Sequence, residues 1–407
     1  MPRRGRALAV GLAGAYSLAL LGDQMLYVFL PSRPAEAGIA ASSLGLVLST
    51  NRIVRLAANS LGGLLSDRLG RRRPYLLGMV LAFVSTAGYL ASHSLAPLLV
   101  CRMLWGIAFS LLSVGGVSLI LDHSAEAERG RMIGLYQALL AFGTFLALVL
   151  SGFLTDLLGY RGTLMIYVPL TALGLGVALW VLRGGEPAHV HAQRADGSPS
   201  GTLAALRRLN PRLLAPAYVA FTTHFAGSGV VMATLGLYLK QLAAERADGS
   251  WIVPVASLTG LLLAARRLAN MMMTPVAGHL LDRLDDRRIV AAGGVSTLLA
   301  GFLVLMGGRG VSLVIVGVVL IALGEGFSQP ALVVWTGDGA SVHVRGVVMG
   351  GLSTASDLGA ALGPLVGYAL LETGGLRSAY ALCAALAVSA LLVLALVRAA
   401  APAAQRA

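Results

Sequence analysis

The sequence predicts an all-α membrane protein with twelve transmembrane helices, arranged as two pseudo-symmetric bundles of six. Three observations support this fold class. First, 57% of the 407 residues are hydrophobic and 12% are charged, whereas about a quarter of the residues in a soluble domain are charged. Second, the apolar residues lie in runs long enough to cross a bilayer as helices, without the alternation of barrel strands. Third, ordered sequence matches recur between the two halves.

The spans are placed by reading hydropathy with glycine, proline and charge as boundaries. The first half contains the predicted spans 8–31, 41–66, 74–93, 95–121, 132–158 and 161–183. The second half contains 212–240, 252–281, 289–308, 311–336, 345–371 and 377–400. These boundaries predict an N-terminal bundle (1–183), a polar cytoplasmic linker (184–211) and a C-terminal bundle (212–407).

The basic residues predict the orientation. The net charge is +13, which in a soluble protein would suggest nucleic-acid binding. Here 20 of the 31 lysines and arginines lie in segments on one side of the spans, and six lie on the other. Because cytoplasmic loops carry the excess of positive charge, both termini are predicted to be cytoplasmic. We expect a multi-pass protein of a bacterial inner (plasma) membrane, in contact with lipid and not with nucleic acid.

An internal repeat relates the halves. A shift of 215 positions places Gly63–Leu69 on Gly278–Leu284, Arg52 on Arg267 and Arg72 on Arg287. A shift of 216 places Asp122 on Asp338. Matches that keep this order are improbable in unrelated halves.

The repeat contains a loop signature in its first copy, Gly63-x-x-x-Asp67-Arg68-x-Gly70-Arg71-Arg72. This signature resembles motif A of the major facilitator superfamily, and Arg102 followed by Gly106 resembles its motif B, with Trp105 where the family often has Gln. The resemblance covers essentially the whole chain. It implies two six-helix bundles with a substrate path between them that opens alternately to each side.

The loop residues predict a conformational latch. Gly63 would allow close helix approach and Gly70 a tight turn. Asp67 and the arginines near Asp122 would form ion pairs that hold one conformation shut. The predicted latch residues of the second half are Asp282, Arg283, Arg287 and Asp338. The alternative is that these arginines only set the topology.

Four arginines near the middle of predicted spans indicate a binding site. Arg52 and Arg55 share a face of the second span, and Arg266 and Arg267 lie at the corresponding depth of the eighth. A mid-membrane arginine is costly unless it faces water, a counter-ion or substrate. Paired arginines suit a carboxylate or phosphate. The alternative is internal pairing with acids, which would leave no net charge for a substrate.

The intramembrane acids are candidates for proton coupling. Asp23 lies in the first span beside Gln24 and Tyr27, which we assign to the substrate site, and Glu325 and Asp357 lie in the tenth and eleventh spans. A membrane carboxylate with a raised pKa can take up and release a proton. Arg102 is assigned to the same coupling group. Each acid has the alternative role of a permanent partner to an arginine.

Glycines and a proline mark the eleventh span as a moving gate. Gly350, Gly359, Gly363-Pro364 and Gly367 follow the spacing of motif C, which the family's drug/proton antiporters carry in the fifth span. Close packing at the glycines and a kink at Pro364 would permit movement.

These features predict a secondary active transporter of a small organic, anionic solute, with proton-coupled efflux by alternating access. A multidrug/H⁺ antiporter of lipophilic cations is the alternative, and a membrane sensor or scaffold with the same fold is the non-transport alternative. The sequence has no Walker loop and no metal-ligand spacing. We expect neither an enzyme nor a bound cofactor or metal, and we expect a monomer.

Overall fold

The computed structural model describes residues 2–124, 128–184, 214–245, 253–284, 286–308, 310–340 and 345–397. These residues are helical almost throughout, and no strand occurs among them. The predicted all-α membrane fold is therefore confirmed. Most of the predicted linker 184–211 falls outside the described residues, so the three-part division of the chain stays a prediction.

Contacts divide the chain into two compact units. The first unit comprises Met1–Val190 and Leu235–Ala264, and the second comprises His191–Thr234 and Ala265–Ala407. Five helices begin the chain: α1 (Pro2–Phe29), α2 (Leu44–Leu69), α3 (Arg72–Ala91), α4 (Leu95–Asp122) and α5 (Arg129–Val181). Short 3₁₀ turns lie at Pro34–Ala37, Ala41–Ser43 and Leu182–Gly184.

The remaining helices follow the predicted linker. Helix α6 (Leu214–Glu245) consists of an α-helical segment, Leu214–Thr223, a π-helical segment, His224–Val231, and a second α-helical segment, Met232–Glu245. The others are α7 (Val255–Arg283), α8 (Arg287–Gly307), α9 (Val311–Asp338) and α10 (Arg345–Leu396). The boundary between the two units falls inside α6 and α7.

Two of these helices are each long enough for two spans and break at glycines. Gly159 in α5 and Gly375 in α10 both have φ of 69°, a left-handed conformation that only glycine adopts without cost. Both breaks lie where the sequence predicts the boundary between adjacent spans. Gly375 lies 216 residues after Gly159, the same shift as the repeat.

Within the described ranges, eight helices are long and apolar enough to cross a membrane. Helices α2 and α7 are not among the eight, because their mid-helix arginines lower the hydropathy. The multi-pass membrane fold is thus established, and the number twelve remains a prediction.

The first unit has an aromatic core. Tyr16, Tyr75, Trp105 and Tyr136 are buried together where α1, α3, α4 and α5 pack. The hydroxyl of Tyr75 donates to the carbonyl oxygen of Leu12 at 3.0 Å, which anchors α3 to α1. By contrast, large apolar side chains lie exposed on outer helix faces, as at Leu157 and Trp180. Such faces are expected where helices meet lipid.

Candidate functional site

A buried ion pair joins α1 and α4 in the first unit. Arg102 is 0% exposed, and its Nη1 donates to Oδ1 of Asp23, which is 4% exposed. The other nitrogens of Arg102 donate to the carbonyl oxygen of Val47 at 3.0 Å and to the hydroxyl of Tyr27 at 3.2 Å. Because a buried charge is costly unless it is paired and hydrogen-bonded, this network stabilises an arginine within an apolar helix.

Two amides complete the surroundings of Asp23. The side chain of Gln24 donates to Oδ2 at 3.1 Å, and that of Asn51 on α2 donates to Oδ1 at 3.3 Å. Asp23 therefore accepts two hydrogen bonds in addition to its ion pair with Arg102. This geometry fits the alternative in which Arg102 is the permanent partner of Asp23, and it places Gln24 next to Asp23 as predicted.

Arg52 and Arg55 are half-buried on α2. The Nε of Arg52 lies 3.4 Å from the hydroxyl of Tyr27, and its guanidinium carbon lies 5.8 Å from the centre of that ring. The guanidinium carbon of Arg55 lies 3.9 Å from the centre of the Phe109 ring. An aromatic face attracts a cation without neutralising it. Tyr27 contacts both Arg52 and Arg102, so it links the predicted substrate residues to the Asp23 network.

The second unit contains its own buried ion pair, between α7 and α9. The Nη2 of Arg266 donates to Oε1 and Oε2 of Glu325 at 2.8 and 2.6 Å. Arg266 is 9% exposed and Glu325 is 5% exposed. The hydroxyl of Ser228, from the π-helical segment of α6, lies 3.4 Å from Arg266 Nη2 and 3.5 Å from Glu325 Oε1. The structure thus joins three helices at this pair.

Arg267, which the repeat aligns with Arg52, has different surroundings from its neighbour Arg266. Arg267 has an exposed side chain, and it forms no ion pair with the part of the chain that the structure describes. Asp357 lies half-buried on α10. Arg266 has an ion pair to a carboxylate, as does Arg102 of α4, so internal pairing applies to these two arginines.

Ion pairs join residues of the predicted latch at helix ends in both halves. Arg71, which precedes α3, donates to Oδ1 of Asp122 at 2.5 Å and to the carbonyl oxygen of Ser118 at 2.9 Å. Arg287, at the start of α8, donates to Oδ2 of Asp338 at 3.3 Å. Gly70 has φ of 78°, which confirms the predicted glycine-dependent turn before Arg71.

Two details of the predicted latch are wrong. The residue that corresponds to Arg287 is Arg71, not Arg72, because both ion pairs follow a single shift of 216 positions. Gly63 does not mediate close helix contact in this structure, since a Cβ added there would meet no atom within 4 Å. Arg68, Asp282 and Arg283 are exposed, and the side chain of Asp67 lies outside the described residues.

The turn before α8 carries a carboxylate cap that the turn before α3 lacks. Asp286 accepts from the backbone N–H of Arg288 at 3.0 Å and from its guanidinium at 2.5 to 3.1 Å. The hydrogen bonds from Arg288 hold the pKa of the Asp286 carboxyl below its ordinary value. The equivalent position in the first half is Gly70.

Gly359 and Gly363 of α10 pack closely against α6, whereas a Cβ added at Gly350 would meet no atom within 4 Å. A Cβ added at Gly359 would overlap the carbonyl oxygen of Phe221, and one added at Gly363 would overlap Gly229. Small residues at such crossings let helix backbones approach closely. Pro364 follows directly within the same helix.

Several polar residues at these sites did not stand out in the sequence. Asn51 and Ser228 contact the two buried ion pairs, and each is a single polar residue in an apolar run. A second group, close to the break of α5 at Gly159, consists of Asp156, Arg33 and Ser257. The signal that could have found Asp156 is its place in the repeat, since Glu372 follows it by 216 residues.

Comparison with known proteins gives the family. Residues 12–268 and 254–407 match the sequence profile of the Major Facilitator Superfamily. The chain belongs to this superfamily. The predicted fold and the resemblance of its loop signature are therefore confirmed.

Curated relatives within the superfamily include neurotransmitter carriers. The chain is 28% identical over 218 residues to the synaptic vesicular amine transporter of Homo sapiens, which covers 53% of this chain and 40% of that protein. It is 31% identical over 173 residues to a probable vesicular acetylcholine transporter of Danio rerio, covering 39% of this chain and 34% of that protein. The chain thus spans only about a third to two fifths of the length of these relatives.

Solved structures share the fold over nearly the whole chain. A mutant of the nucleoside transporter NupG superimposes with a TM-score of 0.77 at 14% identity, covering 95% of this chain and 99% of that one. The human organic anion transporter TETRAN superimposes with a TM-score of 0.64 at 20% identity, covering 97% and 100%. At these identities the similarity concerns the fold alone.

Proposed function

We propose that the protein is a secondary active transporter that moves a small organic anion across the membrane by alternating access, coupled to protons. Membership of the superfamily supports transport. The absence of a Walker loop from the sequence supports a drive other than ATP hydrolysis. The observation that carries the anionic substrate is the surplus of mid-membrane arginine over acid.

The surplus follows from the described ion pairs. Asp23 neutralises Arg102, and Glu325 neutralises Arg266. By number, the five mid-membrane arginines exceed the three mid-membrane acids Asp23, Glu325 and Asp357. Planar guanidinium groups bind carboxylates and phosphates with two parallel hydrogen bonds, so this excess of arginine suits an anion. We assign to substrate binding the residues Arg52, Arg55, Arg267, Arg266, Gln24 and Tyr27.

The two buried ion pairs support proton coupling. Protonation of Asp23 would remove its negative charge and release Arg102, and protonation of Glu325 would release Arg266. A released arginine needs a new anion, because an unpaired buried charge is unstable. Proton binding and substrate binding are thereby linked. Asp357 and Arg102 belong to the same proposed coupling group.

A second candidate is the exchange of an organic amine for protons. The observation that favours it is the 28–31% identity to vesicular amine and acetylcholine transporters. An amine would compete with a proton for Asp23 or Glu325, which would make antiport the natural mode. The proposal also includes efflux, a location in the bacterial inner membrane, cytoplasmic termini and a monomeric state. A sensor or scaffold, which is the non-transport alternative, would have no use for the buried ion pairs in transport.

The deciding experiment is binding followed by flux. Purified protein is screened by thermal shift against carboxylates, phosphates and organic amines, since a ligand raises apparent stability. Hits are then tested for uptake into proteoliposomes. We expect anions to stabilise the protein, and Arg52→Ala and Arg267→Ala to abolish that stabilisation, while Arg131→Ala at an exposed position leaves it unchanged. Stabilisation by amines alone would replace the anion assignment with the second candidate.

Proton coupling is tested with Asp23→Asn. The variant should lose proton-driven uptake and keep counterflow exchange, which needs no proton gradient. Equal loss of both would remove Asp23 from coupling. If wild-type flux ignored the proton gradient, the coupling proposal itself would fail.

A further inference from the structure

The π-helical segment of α6 carries polar groups that the proposed function does not yet use. His224–Val231 forms eight residues of π-helix in the middle of a long apolar helix. Such segments are rare and occur frequently at functional sites. Two features connect this segment to the Arg266/Glu325 pair. Its glycines leave space for the pair, and its polar side chain at Ser228 lies beside the pair.

Glycine makes room for the ion pair. A Cβ added at Gly227 would overlap Oε1 of Glu325 and would lie 3.0 Å from Nη2 of Arg266. The carboxylate therefore occupies the space that any other side chain would fill. Gly229, two residues later, contacts Gly363 of α10. The segment is held between the ion pair on one side and α10 on another.

Polar side chains surround the pair. His224, Ser228 and Gln329 are half-buried, whereas Arg266 and Glu325 are buried. The Nε2 of Gln329 lies 2.9 Å from Nδ1 of His224, and Ser228 lies within 3.5 Å of both charged groups. Half-buried polar groups at this depth are expected to face the interior of the helix bundle or water, and not lipid. We call His224, Ser228 and Gln329 the rim of this site, and the buried Arg266/Glu325 pair beside them its floor.

The floor has an unused donor. Nη2 of Arg266 serves both oxygens of Glu325, while its Nε is buried and has no acceptor among the described residues. Buried donors are normally satisfied, so this nitrogen calls for an acceptor that a bound molecule would supply. Ser228 and Gln329 offer further donors nearby.

We propose that His224, Ser228 and Gln329 form a hydrogen-bonding subsite beside Arg266 that selects organic anions bearing a hydroxyl group near the charge. A substrate oxygen at this subsite would accept from the rim or from Arg266 Nε. Sites that hydrogen-bond a hydroxyl reject analogues that lack it, because buried polar groups are then left unpaired. The inference rests on the proposed transport of organic anions.

Matched pairs of anions test the subsite. The full-length protein is titrated with lactate and propionate, and with malate and succinate, which differ by one hydroxyl group. We expect the hydroxylated member to bind about tenfold more tightly, as one hydrogen bond allows. Ser228→Ala and Gln329→Met should reduce that preference to about onefold to threefold. Thr297→Val on α8, whose hydroxyl bonds only to Gly293 in the described contacts, should preserve it.

The outcomes separate the subsite from the proposed function. Binding of anions with no preference for the hydroxylated member would overturn the subsite and leave anion transport standing. A preference that survives Ser228→Ala and Gln329→Met together would also overturn it. If no anion binds, and if Arg52→Ala and the wild type give the same response to every probe, the proposed transport of organic anions itself is contradicted.

An independent observation concerns α5 close to its break at Gly159. Oδ1 of Asp156 accepts from Nη2 of Arg33 at 2.8 Å, and Oδ2 accepts from the backbone N–H and the hydroxyl of Ser257 at 2.6 and 2.8 Å. The side chain of Asp156 is 6% exposed. Ser257 lies in the first turn of α7, where free backbone N–H groups favour a carboxylate. All three residues belong to the first unit.

Glycines bring α5 and α7 into direct contact beside this carboxylate. A Cβ added at Gly152 would overlap the carbonyl oxygen of Ala256, and one added at Gly260 would overlap that of Leu148. Separation of the two helices must break both hydrogen bonds between Asp156 and Ser257. Glu372, its equivalent in the repeat, is exposed instead. We infer that Asp156 is a latch that keeps α5 and α7 together at the predicted outer face.

Cysteine labelling tests the latch. Leu148→Cys is introduced in a Cys101→Ser, Cys383→Ser background and treated with a membrane-impermeant maleimide. Asp156→Asn should raise the labelling rate about tenfold and Arg33→Gln less, whereas Glu372→Gln should not change it. Equal rates with and without Asp156→Asn would overturn the latch. The folding control is Asp156→Asn in the protein that keeps its native cysteines and lacks Leu148→Cys. The buried Cys383 must remain slow to label in this variant.

Discussion

The two halves of the chain each bury one ion pair, but they build it differently. In the first half the arginine comes from α4 and the acid from α1, and Arg102 is sealed by Val47 and Tyr27. In the second half Arg266 comes from α7 and Glu325 from α9, beside a π-helical segment with half-buried polar residues. Repetition of the fold therefore did not repeat the charge pairing. The first pair has the character of a sealed structural element, and the second that of an accessible site.

Removal of the sealed arginine should have the largest effect. We expect Arg102→Ala to destabilise the protein by about 3–5 kcal/mol, because it leaves the Asp23 carboxylate buried without its counter-ion. Arg266→Ala should cost less, since water can reach the polar rim beside Glu325. Chemical unfolding in detergent measures both variants. The double variant Arg102→Gln, Asp23→Asn should recover much of the loss, and equal effects at both arginines would contradict the distinction.

Filling the glycine space at the second pair should come next. Gly227→Ala places a methyl group against Glu325 Oε1, and overpacking of this kind costs about 1–3 kcal/mol. Gly278→Ala is the matched control, because a Cβ there meets no atom within 4 Å. The melting temperature should fall for Gly227→Ala. It should stay the same or rise for Gly278→Ala, because alanine has a higher helix propensity than glycine. A neutral Gly227→Ala would mean that α6 moves freely beside the pair.

The capped turn of the second half should be sensitive to acid. Asp286→Ala should lower stability by about 1 kcal/mol, as expected for loss of an N-terminal helix cap. The folded-state pKa of Asp286 is lowered by Arg288. Its contribution is therefore present above the unfolded-state pKa of about 3.9 and is lost as pH falls through the lower folded-state value. The difference between wild type and Asp286→Ala should shrink toward zero with acidification. A difference that does not depend on pH would assign the effect to the backbone alone.

The exposed latch pairs should contribute least to stability. Arg71→Ala and Arg287→Ala each remove a partly exposed ion pair, whose loss costs about 0–1 kcal/mol. Their effect should appear in transport rate while the melting temperature stays almost constant. Both arginines also donate to backbone carbonyl oxygens, Arg71 to Ser118 and Arg287 to Leu281 and Leu284, so the two losses should be similar. Arg72→Ala serves as the neighbouring control, and a larger effect there would restore the register that the sequence predicted.

Local patterns account for what could be predicted. Long apolar runs specify helices because a backbone in lipid must satisfy its own hydrogen bonds. The glycine turns at Gly70, Gly159 and Gly375 follow from conformations that other residues resist. The family signature is likewise a local pattern. These features needed no knowledge of which helices pack together. Among the described residues, the π-helical segment of α6 departs from the α-helix predicted for its span.

Partner choice could not be predicted from the same patterns. Adjacent residues of a helix point about 100° apart, so Arg266 and Arg267 face different surroundings, as do Arg71 and Arg72. The repeat suggested Arg267 and Arg72, whereas packing of α7 against α9 and of α3 against α4 places Arg266 and Arg71 next to their acids. Hydropathy, the repeat and the glycine turns thus establish the helices and the family from the sequence. Only the tertiary structure decides which charge is sealed and which is accessible. This depends on how each helix is rotated about its own axis, to within the angle between adjacent residues, in helices that are far apart in the sequence.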